Sequence, residues 1–141
     1  MKFKKMIKKV FQFRKNETLN DYVYRKKLNF EKNFLKQKFS CNDLKEVFKQ
    51  IGINDGDNIM VHACYRAFYN FEGTPEDIID MLIELIGTNG NLFMPCYGAN
   101  IEEFNVDTDK SMAGVLSECF RKYSDVLRSK GSHFSCAGYR K

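Results

Sequence analysis

A capped helix between two short apolar segments is the feature that most constrains the fold of this chain. The run Thr74-Pro75-Glu76-Asp77 offers an N-cap residue, a proline at the first helical position and an acidic residue three positions after the cap. Apolar residues at helical spacing follow as far as Gly87, which ends the predicted helix. The segments Ile59–Val61 and Asn91–Met94 predict strands before and after it. This order predicts a βαβ unit with parallel strands, and we therefore expect an α/β fold with a mostly parallel sheet.

Two more helices and a third strand are predicted around this unit. The run Ser40-Cys41-Asn42-Asp43 has the form of a capping box, and apolar residues follow it at helical spacing until Gly52. Val126–Leu127 predicts the start of a strand that leads into the end of the sequence. Residues 111–122 predict a helix whose inner face would hold Met112, Val115, Leu116, Cys119 and Phe120.

Charge divides the chain into an arm and a body. Residues 1–38 hold 13 Lys/Arg and 3 Asp/Glu, a net charge of +10, whereas residues 39–141 hold 10 and 15, a net charge of −5. We therefore predict a basic N-terminal arm over residues 1–39 and an α/β domain over residues 40–141. Because the basic residues belong to the arm, their distribution argues against nucleic-acid binding by the whole protein.

The arm contains two stretches in which apolar and basic residues alternate at helical spacing, residues 1–15 and residues 22–35. A basic amphipathic helix at residues 1–15 fits an anionic membrane surface or a docking partner. An ordinary helix packed on its own body, or a flexible tail, fits the same pattern. Both interpretations stay open at this point.

Cysteine usage favours an intracellular protein. The five cysteines are widely spaced and form no Cys-x-x-Cys pair, and the chain has only two histidines, so we predict no metal site. Reduced thiols are typical of cytosolic proteins. The sequence has no apolar segment of signal-peptide length and none approaching the ~20 residues of a membrane span. We expect a cytoplasmic protein, with peripheral membrane contact as the open alternative.

Two predicted loops are candidate ligand sites. Ligands of parallel α/β sheets bind at the carboxyl ends of the strands, where the loops His62–Gly73 and Pro95–Lys110 are expected. Phosphate groups are natural ligands there. The sequence contains no Gly-x-Gly-x-x-Gly and no Gly-Lys-Ser/Thr, which excludes a dinucleotide fingerprint and a P-loop.

Several runs in the body carry a resemblance to a known family. They are Gly56-Asp57-Asn58-Ile59-Met60-Val61-His62, the run from Ser111 to Arg121, and Arg128-Ser129 followed by Phe134-Ser135. Over about residues 44 to 139 their order and spacing resemble those of the aminoglycoside 3-N-acetyltransferase family, in particular its divergent members that sit with polysaccharide-biosynthesis genes. The resemblance implies a layered α/β/α fold and an enzyme that transfers acetyl from acetyl-CoA to an amine of an aminoglycoside or amino-sugar.

The resemblance also implies a set of cofactor-binding residues. The family loop that lines the coenzyme A site usually reads His-Ser-Ser-Leu and is here His62-Ala63-Cys64-Tyr65. Loss of both hydroxyls removes two hydrogen-bonding side chains, so we expect weakened coenzyme binding. Arg128, Ser129 and Ser135 match further coenzyme-site positions, and a guanidinium suits a phosphate or a structural carboxylate. Local structural roles fit His62 and Ser135 equally well.

The catalytic base implied by the resemblance has no counterpart in this sequence. In the family, a histidine in a Thr-x-x-His-x-x-Glu segment removes a proton from the acceptor amine and the glutamate orients it. No such segment occurs in the 141 residues, so we predict no catalytic residue and expect the N-terminal part of a truncated, incomplete domain. Exposed apolar edges of such a domain predict self-association. The alternative function is a non-catalytic binding module that uses its basic arm.

Overall fold

The computed structural model describes residues 14, 17–34, 37–99, 103–131 and 133–140, with the backbone alone for residues 31–34. It forms two compact units, one ending at Gln37 and one beginning at Lys38. The predicted helix at residues 1–15 lies, apart from Arg14, outside the described residues.

The N-terminal unit contains helix α1 (Leu19–Phe34), which confirms the predicted helix over residues 22–34, whereas Leu35 lies outside the described residues. Its start is capped reciprocally: the Asp21 N–H donates to Thr18 Oγ1 over 3.2 Å, and the Thr18 N–H donates to Asp21 Oδ2 over 3.0 Å. Three apolar side chains of α1, those of Leu19, Val23 and Phe30, are exposed.

The second unit is an α/β structure, which confirms the predicted fold class. Its helices are α2 (Cys41–Gln50), α3 (Pro75–Ile86) and α4 (Val115–Phe120), and a short 3-10 turn spans Tyr65–Ala67. Its strands are β1 (Asn58–Met60), β2 (Asn91–Pro95), β3 (Val126–Arg128) and β4 (Cys136–Arg140).

Both predicted capping boxes are confirmed. The Ser40 N–H donates to Asp43 Oδ2 over 2.7 Å while Ser40 Oγ accepts from the Asp43 N–H, which starts α2. Thr74 and Asp77 make the same exchange at the start of α3. Helix α3 ends at Gly87, whose φ of 65° lies in the region that favours glycine.

The four strands form one sheet in the order β1, β2, β4, β3. Strands β1 and β2 are parallel, which confirms the predicted βαβ unit around α3. The expectation that the sheet is mostly parallel is wrong for the described strands, because β4 pairs antiparallel with both β2 and β3. For β3 and β4 the physical reason is the short connection between them, because a direct hairpin joins antiparallel strands, whereas parallel strands need a long crossover. Strand β4 then fits between β3 and β2 and pairs antiparallel with β2 as well.

The hydrophobic core lies between the helices and one face of this sheet. Helix α3 contributes the largest share, and its side chains pack on alternate residues of β2 and on α4. The fully buried large apolar side chains are those of Ile78, Ile79, Leu82, Ile86, Leu92, Met94 and Phe120. Burial of this kind stabilises the fold by about 1.5–3 kcal/mol per side chain.

The opposite face of the sheet carries an open apolar row. Met60, Phe93, Gly138 and Leu127 lie side by side in register across the four strands. The exposed fractions are 64% for Met60, 39% for Phe93 and 82% for Leu127. We call this set of four residues the open row.

Helix α4 is shorter than predicted. The expected helix at residues 111–122 is observed only over Val115–Phe120, and Met112 and Val115 are exposed instead of lying on its inner face. Gly114, with φ 116°, interrupts helical geometry before Val115. The residues before it are therefore free to form part of a cavity wall.

Candidate functional site

A cavity of about 460 Å³ lies where the chain leaves the carboxyl end of β1. One wall is the predicted loop His62-Ala63-Cys64-Tyr65, extended by Arg66. The other wall is the segment Met112–Val115 at the start of α4. The structure therefore brings four of the predicted site residues together beside a cavity and adds residues from a distant part of the chain.

The loop wall is positioned by the sheet on one side and by an aromatic cluster on the other. The Val61 N–H donates to the Phe93 carbonyl over 2.8 Å and continues the β1 pairing to the edge of the cavity. The Tyr65 hydroxyl then donates to the Gly73 carbonyl over 2.9 Å, and its ring stacks on Phe68 with centroids 6.2 Å apart. Burial raises the pKa of Tyr65, so this hydroxyl stays protonated as a donor. Tyr65 thus anchors the loop.

The opposite wall approaches the loop closely at Gly114. A Cβ on Gly114 would lie 3.8 Å from the Ala63 carbonyl oxygen, and the φ of 116° would strain any side chain there. The Met112 N–H donates to the Tyr97 carbonyl over 2.9 Å, which ties this wall to the residues after β2. Both walls therefore depend on the ends of the two parallel strands.

A partly buried ion pair holds the start of the second wall. Glu118 Oε2 accepts from the Ser111 N–H over 2.7 Å, and Arg121 pairs with the same carboxylate at 2.7 Å. Burial raises the pKa of Glu118, but hydrogen bonds from Arg121, the Ser111 N–H and Lys122 outweigh it and lower the pKa to about 2. Glu118 is therefore ionised at neutral pH and fixes the backbone just before Met112.

The cavity lining is suited to an anionic or neutral ligand. Its ionisable side chains include Arg66 and His62, and among the described residues the lining contains no carboxylate. The exposed Cys64 thiol adds a small polarisable group. A guanidinium at the rim favours phosphate oxygens. These features fit the predicted binding of part of acetyl-CoA, although the coenzyme-binding roles of His62, Ala63, Cys64 and Tyr65 stay predictions.

The other predicted site residues lie outside this lining. Arg128 donates through Nε to the Cys96 carbonyl over 2.8 Å and through Nη1 to two further backbone carbonyls. Ser135 is buried and donates to the Ser129 carbonyl over 2.8 Å, while Ser129 Oγ accepts from the Cys136 N–H over 3.0 Å. Ser129 and Ser135 thus close the β3–β4 hairpin. Direct coenzyme contacts for Arg128, Ser129 and Ser135 stay predictions.

Sequence reasoning did not identify the second wall as part of a site. The helical pattern predicts Met112 and Val115 on an inner face, and neither Ala113 nor Arg66 is predicted to contact a ligand. Gly114 is the residue that marks the wall in the sequence, because a glycine inside an otherwise helical pattern indicates a break or a close backbone approach.

The described residues hold no group of three or more His, Cys, Asp or Glu side chains arranged to bind a metal ion. Cys119, which is half-buried, is not a reactive thiol, because burial and a hydrogen bond with Glu76 raise its pKa to about 11. Within the described part of the chain, no helix combines the length and the apolar character required to cross a bilayer.

Comparisons with known proteins place this fold among acetyltransferases. The family model for aminoglycoside 3-N-acetyltransferase matches residues 60–139. The chain belongs to the aminoglycoside 3-N-acetyltransferase family. No curated protein matches the sequence.

Several solved structures share this architecture. The apoenzyme of aminoglycoside acetyltransferase AAC(3)-IVa matches with a TM-score of 0.69 and 25% identity, over 75% of this chain and 42% of that one. AAC-IIIb bound to CoASH matches with a TM-score of 0.64 and 20% identity, over 74% and 47%. The YokD protein from Bacillus subtilis matches with a TM-score of 0.65 and 20% identity, over 72% and 50%. The chain thus spans half or less of the length of these structures.

Proposed function

We propose that this chain carries the coenzyme-binding part of an acetyl-CoA-dependent N-acetyltransferase. The observation that supports this most directly is the cavity between the His62–Arg66 loop and the Met112–Val115 wall. It lies at the carboxyl end of β1, and one of its walls is the loop that the family resemblance assigns to coenzyme A. AAC-IIIb, a structure of similar fold, is bound to CoASH.

In the proposed reaction acetyl-CoA is the acyl donor, and an amine of an aminoglycoside or amino-sugar is the acceptor. The amine nitrogen attacks the thioester carbonyl, the carbon–sulfur bond breaks, and the coenzyme leaves as its thiol. Structures of AAC(3)-IVa in complex with a gentamicin and with apramycin support this class of acceptor. Because the family's Thr-x-x-His-x-x-Glu base segment has no match in the sequence, we propose that these residues by themselves transfer acetyl slowly.

Calorimetric titration of the full chain with coenzyme A tests the proposal. We expect binding that is weaker than in family members with both loop serines, by roughly 5- to 150-fold for two lost hydrogen bonds. Ala63→Leu narrows the cavity and should remove binding. Ala67→Leu is the matched control, because Ala67 is exposed and does not line the cavity. No heat of binding at millimolar coenzyme would contradict the proposal.

A second candidate function uses the basic arm on an anionic membrane surface or a partner. The observation that favours it is the exposed stripe of Leu19, Val23 and Phe30 on α1, with exposed fractions of 67%, 57% and 62%. Lys26 and Lys27 lie on either side of this stripe by helical spacing, an arrangement found in helices that lie in a membrane interface. The predicted membrane contact through residues 1–15 itself concerns residues outside the described part.

Vesicle sedimentation separates the two functions. If the arm acts on membranes, the full chain sediments with phosphatidylglycerol vesicles but not with phosphatidylcholine vesicles, and the double variant Leu19→Glu, Val23→Glu stays in solution. Coenzyme binding should be unaffected by the same double variant. Equal sedimentation of the chain with both kinds of vesicle would contradict the membrane function. It would leave the enzyme proposal unaffected.

We also propose that the open row causes weak self-association. With strands about 4.8 Å apart and a rise of about 3.3 Å per residue, this face measures roughly 14 Å by 17 Å, or about 240 Å². A stable interface buries about 800 Å² on each partner. The face is therefore expected to support contacts between copies only at high protein concentration.

A further inference from the structure

We propose that Arg128 is a positioning residue, which shapes the cavity through backbone contacts and does not itself bind the coenzyme. The predicted effect of Arg128 on coenzyme affinity rests on the proposed function. The geometric evidence for its positioning role does not depend on any ligand. It differs from the direct coenzyme contact that the family resemblance predicts for Arg128.

The guanidinium of Arg128 joins the two ends of the segment that runs from β2 towards α4. At the near end, Nε donates to the Cys96 carbonyl over 2.8 Å. At the far end, Nη1 donates to the Val106 carbonyl over 3.1 Å and to the Asp109 carbonyl over 2.5 Å. The ring of Phe104 covers the group, with its centroid 4.6 Å from Cζ. One side chain therefore closes a loop of more than ten residues.

The same segment forms the second wall of the cavity. Tyr97, next to the Cys96 acceptor, receives the hydrogen bond from the Met112 N–H. The Ala113 N–H donates to Ser111 Oγ over 3.2 Å, and Ser111 is held in turn by Glu118. Contacts that begin at Arg128 thus continue through Cys96 and Tyr97 to a residue that lines the cavity.

The guanidinium offers little to a ligand in this arrangement. Nε and Nη1 are engaged by carbonyl oxygens, and Nη2 is buried without a hydrogen-bond partner among the described residues. Because Nη2 is buried, a coenzyme phosphate would reach it only after the surrounding residues had moved. This site uses the planar set of guanidinium N–H donors, which lysine lacks.

Arg128→Lys separates the two roles because it keeps the positive charge and removes the planar set of donors. Hydrogen exchange of the free protein gives the first readout. If Arg128 positions the wall, the Met112 and Ser111 amides should exchange about tenfold faster, the loss expected for one charged hydrogen bond. Amides of α3, such as that of Leu82, should keep their protection.

Ligand affinity gives the second readout, with coenzyme A and pantetheine as the two probes. A positioning role predicts the same fold-loss of affinity, about tenfold, for both probes, because the wall is displaced for either ligand. A direct phosphate contact predicts a loss for coenzyme A alone. Phe104→Leu, which removes the aromatic cover and keeps an apolar side chain, should reproduce the Arg128→Lys pattern. Arg140→Lys, at an exposed strand end, is the matched control and should change neither readout.

The outcomes distinguish this inference from the proposed function. Unchanged exchange at Met112 and Ser111 in both variants overturns the positioning role, as does an affinity loss confined to coenzyme A. If the unsubstituted chain binds neither probe, the proposed function fails, while the exchange data still decide whether Arg128 holds the wall.

Discussion

Glu118 accepts a hydrogen bond from the backbone N–H of Ser111 over 2.7 Å, across seven positions of the chain. The contact links the first turn of α4 to the residue that precedes the cavity wall. The same carboxylate is paired with Arg121 at 2.7 Å, so the Ser111 N–H and the Arg121 guanidinium together fix its position. The start of one wall of the candidate site is thus held by an ionised side chain that does not line the cavity.

Glu118→Gln should lower the free energy of unfolding at pH 7 by about 1–2 kcal/mol, because the hydrogen bonds to a charged acceptor are weakened. The pKa of Glu118 is lowered in the folded protein, from 4.5 to about 2, so its contribution is present above about pH 4.5 and is lost as the pH falls towards 2. Urea unfolding at pH 7 and at pH 3 checks this. The difference between the variant and the unsubstituted protein should shrink at the lower pH.

Glu46→Gln is the control for this measurement. Glu46 pairs with Lys49 on an exposed part of α2, and such surface pairs contribute about 0–1 kcal/mol. A pH dependence that is equal in the two variants would contradict the role assigned to Glu118.

Gly114→Ala should destabilise the protein and weaken coenzyme binding together. Alanine at φ 116° costs about 1–3 kcal/mol, and relief of this backbone strain would displace the cavity wall, since a Cβ there would lie only in ordinary contact, 3.8 Å, with the Ala63 carbonyl oxygen. Thermal unfolding and calorimetry measure the two effects. Gly131→Ala is the matched control, since Gly131 has no atom within 4 Å of an added Cβ. Stability equal to that of the control would contradict the geometry described for Gly114.

The rate of thiol labelling should differ between the cysteines according to the exposure and pKa of each thiol. Cys64 is exposed beside the cavity and should react first with iodoacetamide at pH 7.5. Cys96 is buried and the pKa of Cys119 is raised to about 11, so both should react slowly in the folded protein. Mass spectrometry of the labelled peptides identifies the sites. Coenzyme A should slow the labelling of Cys64. Faster labelling of Cys119 than of Cys64 would contradict the predicted order.

Leu127→Glu should reduce self-association. Leu127 is 82% exposed in the open row, and a carboxylate there disfavours an apolar contact between copies. Sedimentation velocity over a range of concentrations measures the effect. Ile51→Glu changes an equally apolar, 68% exposed residue away from the sheet and should leave association as it is. A chain that is monomeric at every concentration contradicts the self-association proposal.

The elements that depend on neighbouring residues were predicted correctly from the sequence. Both capping boxes involve residues three positions apart, so Ser40 and Thr74 indicated the starts of α2 and α3 directly. The antiparallel pairing of β4 with β2 depends on contacts between residues far apart in the chain. No local pattern specifies it, and the sheet was therefore expected to be more parallel than it is.

The candidate site was predicted in part for the same reason. The His62–Tyr65 loop follows a recognisable strand, and its position corresponds to the family's coenzyme loop although its sequence differs. The Met112–Val115 wall forms because Gly114 breaks the helix and Glu118 binds the Ser111 backbone. The partners of Arg128 are backbone carbonyls, which have no sequence signature, so its internal role appears only in the folded structure.

The most direct test of the proposed site is a map of backbone amide shifts in the full chain as coenzyme A is added. The proposal predicts that the largest changes fall on Ala63–Arg66 and Met112–Val115 and that they saturate with one coenzyme per chain. The α1 amides should not move. Changes confined to other surfaces, or none at millimolar coenzyme A, would contradict the proposal that this cavity binds the coenzyme.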